Sequence, residues 1–325
     1  MADKPKVAFY WCASCGGCEE AVVDLAEAVL DVVGAVDIVF WPVALDFKVE
    51  DVEAMKDGSI TVSFINGAIR LSEQEEMAKL LRKKSQFVIA FGSCSHMGGI
   101  PGLANLWNRA SIFDYYYHKG PTVQGQNGVE PATKISVPEG TLELPAFWDT
   151  VKSLDQVIDV DYYIPGCAPT PKLLANAVQA LLSGKLPPAG TVLAGTKALC
   201  NECDLNESKP EKLLLKDLKR VHEVKIDPEK CLLAQGLLCL GPVTRGGCEA
   251  LCINGHMPCT GCFGPTDEVS DYGAKGVSFL SSIIDFNEEK DIAKVMEKVP
   301  DPVGLFYRYS LPHSFMRRKL EVTQK

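Results

Sequence analysis

The stretch Val7-Ala8-Phe9-Tyr10-Trp11-Cys12-Ala13-Ser14-Cys15-Gly16-Gly17-Cys18-Glu19-Glu20 decides the fold. Its first part is an uninterrupted apolar and aromatic run, as expected for a strand covered on both faces. Its middle is a glycine-bearing turn with three thiols. Beyond it, residues 19–33 place Val22, Leu25, Ala26, Val29, Val32 and Val33 on one face of a predicted helix, which Gly34 stops.

Working outward, the same alternation recurs. Further strands are predicted at 36–43, 62–69, 87–91 and 160–164. Ser72 with Glu75 reads as a capping box for a helix through Lys84. Thr170 and Pro171 open a helix that runs to about Ser183 and stops at Gly184. Strands alternating with helices imply an α/β fold with a doubly wound parallel sheet, whose ligands collect beyond the carboxyl ends of the strands. The thiols fall there. Cys12, Cys15 and Cys18 follow the first strand, Cys94 follows 87–91 through Gly92-Ser93, and Cys167 follows 160–164 through Pro165-Gly166. Cysteines far apart in sequence are thus expected at one sheet edge.

Residues 186–190 (Leu-Pro-Pro-Ala-Gly) read as a linker. After it, a helix is predicted at 211–222, then a loop-rich cysteine region to about residue 265, then a helix at 288–298 and an irregular tail. The cysteine region shows little apolar material of its own, so bound metal is expected to organise it.

Thirteen cysteines occur in 325 residues, eight of them between Cys200 and Cys262. A [4Fe–4S] cubane takes four thiolates, and glycine beside cysteine lets the backbone wrap the cluster. The pattern recurs in Cys15-Gly-Gly-Cys18, Gly92-Ser93-Cys94, Gly166-Cys167, Gly246-Gly247-Cys248 and Cys259-Thr-Gly-Cys262. Thirteen thiols serve three cubanes and leave one over. Zinc is the rival reading, because Cys200-x-x-Cys203 and Cys259-x-x-Cys262 have zinc-ribbon spacing. A two-cluster ferredoxin is not matched, since no fourth cysteine follows Cys18 three residues on.

His96, two residues after Cys94, reads either as a hydrogen-bond donor near a cluster or as a satisfied structural histidine. His118, His222, His256 and His313 read as surface or core residues. Glu19 and Glu20 are ordinary acids for a helix N-terminus, or part of a proton route or interface. Tyr115-Tyr116-Tyr117 reads as packing or interface surface.

Composition narrows the class. Hydrophobic residues at 46% and charged residues at 23% allow a sizeable core without a disulfide scaffold. A net charge of −9 disfavours nucleic acid, and only Arg317-Arg318-Lys319 is locally basic, as a solvated tail or a docking site. No run of about 18 apolar residues suits a membrane span, and the first residues do not form a signal peptide; a cytoplasmic protein is expected. Neither a dinucleotide fingerprint nor a Walker-type loop occurs, so NAD and ATP have no obvious seat.

These motifs together resemble the small, electron-transfer subunit of [NiFe] hydrogenases, from Val7 to about Pro265. Cys15-Gly-Gly-Cys18, Gly92-Ser93-Cys94 with Gly98-Gly99-Ile100-Pro101, and Pro165-Gly166-Cys167-Ala168-Pro169 are similar to that family's proximal-cluster signatures. The resemblance implies a flavodoxin-like domain over 1–185, an iron–sulfur domain over 186–280, and a C-terminal helix and tail over 281–325. It implies a proximal cluster on Cys15, Cys18, Cys94 and Cys167. It further implies a distal cluster on Cys200, Cys203, Cys231 and Cys239, where Cys200 replaces the family's usual histidine and the spacing is longer than usual. The medial cluster falls to Cys248, Cys259 and Cys262, with Cys252 in place of the proline that leaves many relatives with three irons. Three [4Fe–4S] clusters are therefore expected. Cys12 is left over, without ligation. An all-cysteine distal cluster is more negatively charged than a His-ligated one, so a lower potential is expected.

Within the family, the chain looks most like the small subunit of the F420-non-reducing (methyl-viologen-reducing) hydrogenases of methanogens. Its implied partners are the large subunit holding the Ni–Fe centre, a ferredoxin-like acceptor subunit and heterodisulfide reductase. The alternatives are the small subunit of an F420-reducing hydrogenase or a sulfhydrogenase, a complex I-like quinone reductase subunit, or a zinc-binding structural protein. The eight cysteines after residue 199 argue against the quinone reductase.

Overall fold

The computed structural model describes residues 4–124, 128–285 and 288–317. Arg318 and Lys319, two of the three basic tail residues, lie outside them.

Six strands form one sheet among the described residues: β1 (Lys6–Trp11), β2 (Asp37–Phe40), β3 (Ile60–Asn66), β4 (Ser85–Phe91), β5 (Tyr162–Ile164) and β6 (Thr191–Val192). Their order is β2-β1-β3-β4-β5-β6, with every pairing parallel. That is the flavodoxin-like doubly wound order with one strand added. Alternation along each strand feeds two cores. Val7, Phe9, Val62, Phe64, Ile89 and Phe91 face the helices Gly17–Val23 and Pro171–Leu182. Ala8, Val88 and Ala90 face the other way, onto Met77, Ala78 and Leu81 of the helix Ser72–Lys84.

Several local expectations are corrected. The helix expected at 19–33 is two helices, Gly17–Val23 and Ala28–Ala35, broken where Ala26 takes φ 51°. The apolar face is continuous in sequence, but only the first piece buries residues. The strand expected at 62–69 ends at Asn66, turns at Gly67 (φ 87°) and resumes as Ile69–Leu71, antiparallel to Phe147–Lys152. Ser72 and Glu75 do not form a capping box. The Gln74 side-chain carbonyl accepts from the backbone N–H groups of Arg70 (2.8 Å) and Leu71 (3.0 Å) instead. Ser72 Oγ accepts from Ala146 N, and Glu75 pairs with Lys79.

Thr170 does cap its helix, its hydroxyl accepting from Leu173 N, and Glu289–Lys298 is helical. Residues 186–190 lead into β6 of the same sheet, with Gly190 N donating to Asp161 O at 2.7 Å.

The largest difference lies after residue 199. No α-helix forms at 211–222, where only the 3₁₀ turn Val221–Glu223 touches the end of the stretch; Leu215 N donates to Ile283 O (2.7 Å) and Lys219 N to Gly236 O (2.9 Å). Leu215 and Leu218 have a helix-like spacing, yet they are buried from an extended, looping backbone. The region also has a core of its own. Leu199, Leu215, Leu232, Leu233, Leu237 and Leu240 pack with Tyr272 and Leu280 of the helix Tyr272–Ile283, and with Phe306 and Leu311 of the tail. Leucines scattered among loops show no period, which hid this core in the sequence.

Candidate metal centres

The first site stands at the carboxyl ends of β1, β4 and β5. Cys15 lies in the loop after β1 and Cys18 in the first turn of the following helix. Cys94 opens the short helix Ser93–Met97 after β4, and Cys167 follows β5. The fold brings these four thiols together: Cys18 interacts electrostatically with Cys94, Cys167 and Cys15, and Cys94 with Cys167 and Cys15. Burial pushes the Cys94 thiol up to about 12, and it raises Cys18 and Cys167 as well, each reinforced by its neighbouring thiols.

Two glycines are obligatory here. A Cβ at Gly92 (φ 87°) would stand 2.2 Å from Cys18 Sγ, and one at Gly99 (φ 58°) 2.4 Å from Cys94 Sγ.

The second group contains Cys200 and Cys203, on the 3₁₀ turn Leu199–Glu202 and its end, with Cys231 and Cys239. These four ring a small cavity, lined also by Leu205, Leu232, Leu233, Pro242 and Ile253. Burial raises Cys239 to about 11, opposed by the backbone N–H groups of Gly241 and Cys259. The third group is Cys248 and Cys252 around the short helix Leu251–Asn254, with Cys259 and Cys262. Burial lifts Cys248 to about 11 and Cys262 to about 12. Cys262 interacts with both Cys248 and Cys252, and Cys259 with Cys262.

Direct contacts link the three groups in a fixed order. Ser93 Oγ, beside Cys94, donates to the Cys262 carbonyl, and Cys262 also interacts with Cys167. At the other end Cys259 N donates to Cys239 Sγ at 3.3 Å. The Cys248–Cys262 group therefore lies between the other two.

All thirteen cysteines are free of disulfides. Burial favours the neutral thiol at Cys18, Cys94, Cys239, Cys248, Cys259 and Cys262, so thiolates there need the positive charge of bound metal. A single zinc draws its sulfurs onto a sphere of about 2.3 Å radius. Among the described residues no three His, Cys, Asp or Glu side chains close around one ion. A void walled by four thiols and backed by glycine or aliphatic side chains fits an iron–sulfur cubane.

Cys12 stands elsewhere. It is buried on the opposite face of the sheet among Phe40, Ile65, Ile69 and Leu81, and burial raises its thiol. His96 stacks on Tyr163 with ring centroids 4.8 Å apart, and burial drives its pKa down to about 3. Glu19 is buried, accepting from Trp41 Nε1 (3.1 Å) and Asn66 Nδ2 (2.9 Å); burial raises its pKa and these two donors oppose the shift. His118 pairs with Glu130, and His313 with Asp155. Tyr115 and Tyr116 are exposed, on the π-helical turn Tyr115–Lys119.

Three supporting residues were not visible in the sequence. Glu202, between Cys200 and Cys203, accepts from Gly247 N (2.9 Å) and Cys248 N (3.1 Å), tying the second group to the third. Ser93 ties the first to the third, as described. Arg245, fully buried, donates to Pro265 O and Gly195 O (both 3.0 Å) and pairs with Asp267.

The family described as NADH ubiquinone oxidoreductase, 20 Kd subunit, matches residues 15–181, which hold the first four thiols and end before Cys200. The F420-non-reducing hydrogenase iron-sulfur subunit of Archaeoglobus profundus is 41% identical over 318 residues, covering 97% of this chain and 98% of its own. The chain belongs to this family of hydrogenase iron–sulfur subunits. The corresponding F420-non-reducing hydrogenase subunit of Methanothermobacter thermautotrophicus is 37% identical, with 99% of each chain covered. In fold, this member of the F420-non-reducing hydrogenase family is similar to a chain of the reduced, active Ni-Fe-Se hydrogenase from Desulfomicrobium baculatum. That likeness has a TM-score of 0.51 at 16% identity, over 82% of this chain and 96% of that one. The hydrogenase iron–sulfur subunit described here is thus part of an oxidoreductase, built as a small subunit. Among the described residues no helix is long and apolar enough to cross a membrane.

Proposed function

We propose that this subunit carries electrons from H2, oxidised at the Ni–Fe centre of a partner large subunit, to a low-potential acceptor. Three [4Fe–4S] clusters would be held by Cys15, Cys18, Cys94 and Cys167; by Cys248, Cys252, Cys259 and Cys262; and by Cys200, Cys203, Cys231 and Cys239. When bound, each supplies a one-electron store whose potential the chain sets through ligand charge, hydrogen bonds and burial. The chain itself holds the thiols and keeps the groups in register. The observation that carries the reading is the linked order of the three groups, through Ser93–Cys262 at one junction and Cys259–Cys239 at the other. The acceptor would be a ferredoxin-like subunit feeding heterodisulfide reductase in the cytoplasm, as part of a hydrogenase complex.

Anaerobic purification with the partner subunits tests this. The expected result is a brown complex with about twelve iron atoms in this chain and H2-dependent reduction of a viologen dye. Colourless, zinc-bearing material would refute it, and co-purified proteins identify the acceptor. Cys252 can be tested separately. Proline is tolerated in a first helical turn, where Cys252 sits. Cys252→Pro should convert one four-iron cluster to a three-iron cluster with a new EPR signal in the oxidised state. An unchanged spectrum would exclude Cys252 as a ligand.

A further inference from the structure

We propose that Lys209 sets the potential of the distal site, as a cation placed at the wall of the cavity ringed by Cys200, Cys203, Cys231 and Cys239. The inference rests on the reading of that site as a cluster held by four thiolates.

The placement comes from local backbone geometry. Residues Asp204–Ser208 form a 3₁₀ turn, in which Asn206 N donates to Cys203 O (3.0 Å) and Lys209 N to Asn206 O (3.1 Å). At three residues per turn, positions 203, 206 and 209 stack on one side. Cys203, Asn206 and Lys209 accordingly all line the cavity. The Lys209 ammonium is steadied by donating to Asn206 Oδ1 at 2.8 Å. The same turn places Cys231, whose N–H donates to Ser208 Oγ at 2.7 Å. One short segment thus positions two thiols and the lysine together.

The chemistry of the wall makes that charge count. Lys209 is the one charged residue among those lining the cavity, the remainder being thiols, aliphatic side chains, Pro242 and Asn206. The partner its ammonium holds, the Asn206 side chain, is neutral and does not cancel its charge. Asp204 acts on Cys203 but is exposed, and water screens it.

A cubane with four thiolates is anionic when oxidised and gains a further negative charge on reduction. A fixed cation stabilises the more negative state and raises the potential. Lys209 would therefore offset the low potential that ligation by four thiolates imposes. That makes the exit site a better electron acceptor for the medial one.

The test is an EPR-monitored redox titration of the anaerobically purified hydrogenase complex carrying Lys209→Met, Lys209→Gln or Lys209→Arg, with iron content measured in parallel. The expected result is a distal midpoint lowered in the Met and Gln variants and restored in the Arg variant, with the other two clusters unmoved and iron content unchanged. A distal midpoint unmoved or raised in Met and Gln at full iron content would overturn the inference. Loss of the distal signal in both, with Arg intact, would give Lys209 a structural role instead and also overturn it. Absence of a third four-iron signal in the unaltered complex would defeat the underlying reading of the site, and this inference with it.

Discussion

The site at the sheet edge and the site around Cys200 hold four thiols each by different means. At the sheet edge, three parallel strands held in register through β3 deliver Cys15, Cys18, Cys94 and Cys167 to one place. The fit is so close that a single methyl at Gly92 would collide with Cys18 Sγ. Around Cys200, no strand ladder reaches the thiols. Leucines from separate loops, a 3₁₀ turn and links such as Glu202 to the Gly247 and Cys248 amides hold them. There a Cβ at Gly241 would meet Cys239 Sγ at 3.5 Å and Cys200 Sγ at 3.6 Å, which is ordinary contact. A rigid scaffold fixes thiols closely by hydrogen-bonded backbone, whereas a loop region leaves space and relies more on what it binds.

Removing iron by anaerobic chelation should separate the two most strongly. Hydrogen exchange in β3 and β4 should change little. Peptides covering 199–210 and 228–262 should lose roughly 2 kcal/mol or more of opening free energy, while the helix Tyr272–Ile283 keeps part of its protection through the leucine core. Equal loss in both regions would break the contrast.

A glycine pair sharpens it. Gly92→Ala should remove the proximal cluster, about four of about twelve irons, and add strain of about 1–3 kcal/mol from its left-handed φ. Gly241→Ala should leave iron content and EPR spectra intact. If both variants lose a cluster, the distal site is as tightly fitted as the proximal one.

The smallest effect concerns the join between the regions. The tail returns to the sheet domain through Gly99 N to Tyr309 O (3.0 Å), Gln156 Nε2 to Pro312 O (2.8 Å), and His313 Nε2 with Asp155 Oδ2 (3.1 Å). The Asp155 carboxylate holds the His313 pKa above its usual value. Stability from this pair is full below the unfolded value of about 6.5 and is lost as pH rises through the higher folded value. The imidazole is half-exposed, so the effect should stay under about 1 kcal/mol. An NMR titration of His313, with exchange rates for 303–313 from pH 6 to 8, would show it. A flat profile would mean that the tail is held by packing alone.

The strand runs and the thiols that follow them were readable because each depends on neighbours in sequence. A continuous apolar run is a buried parallel strand wherever it lies, and a loop after it must reach the sheet edge. The cap on Ser72–Lys84 was misread because Gln74 reaches back to the Arg70 and Leu71 amides, a choice among nearby polar side chains that spacing does not rank. The helix expected at 211–222 failed because its amides find partners at Ile283 and Gly236, far along the chain.

By itself, the sequence determined the doubly wound sheet, the thiols expected at its edge and the family the chain resembles. Only the tertiary structure decided that Cys12 faces away from the other thiols. It also decided that Cys262 and Cys259 join the groups in order, and that scattered leucines form a core around the cysteine loops. The reason is range: alternation and glycine spacing act over a few residues, whereas burial, charge and amide pairing are settled by residues that meet only when the chain has folded.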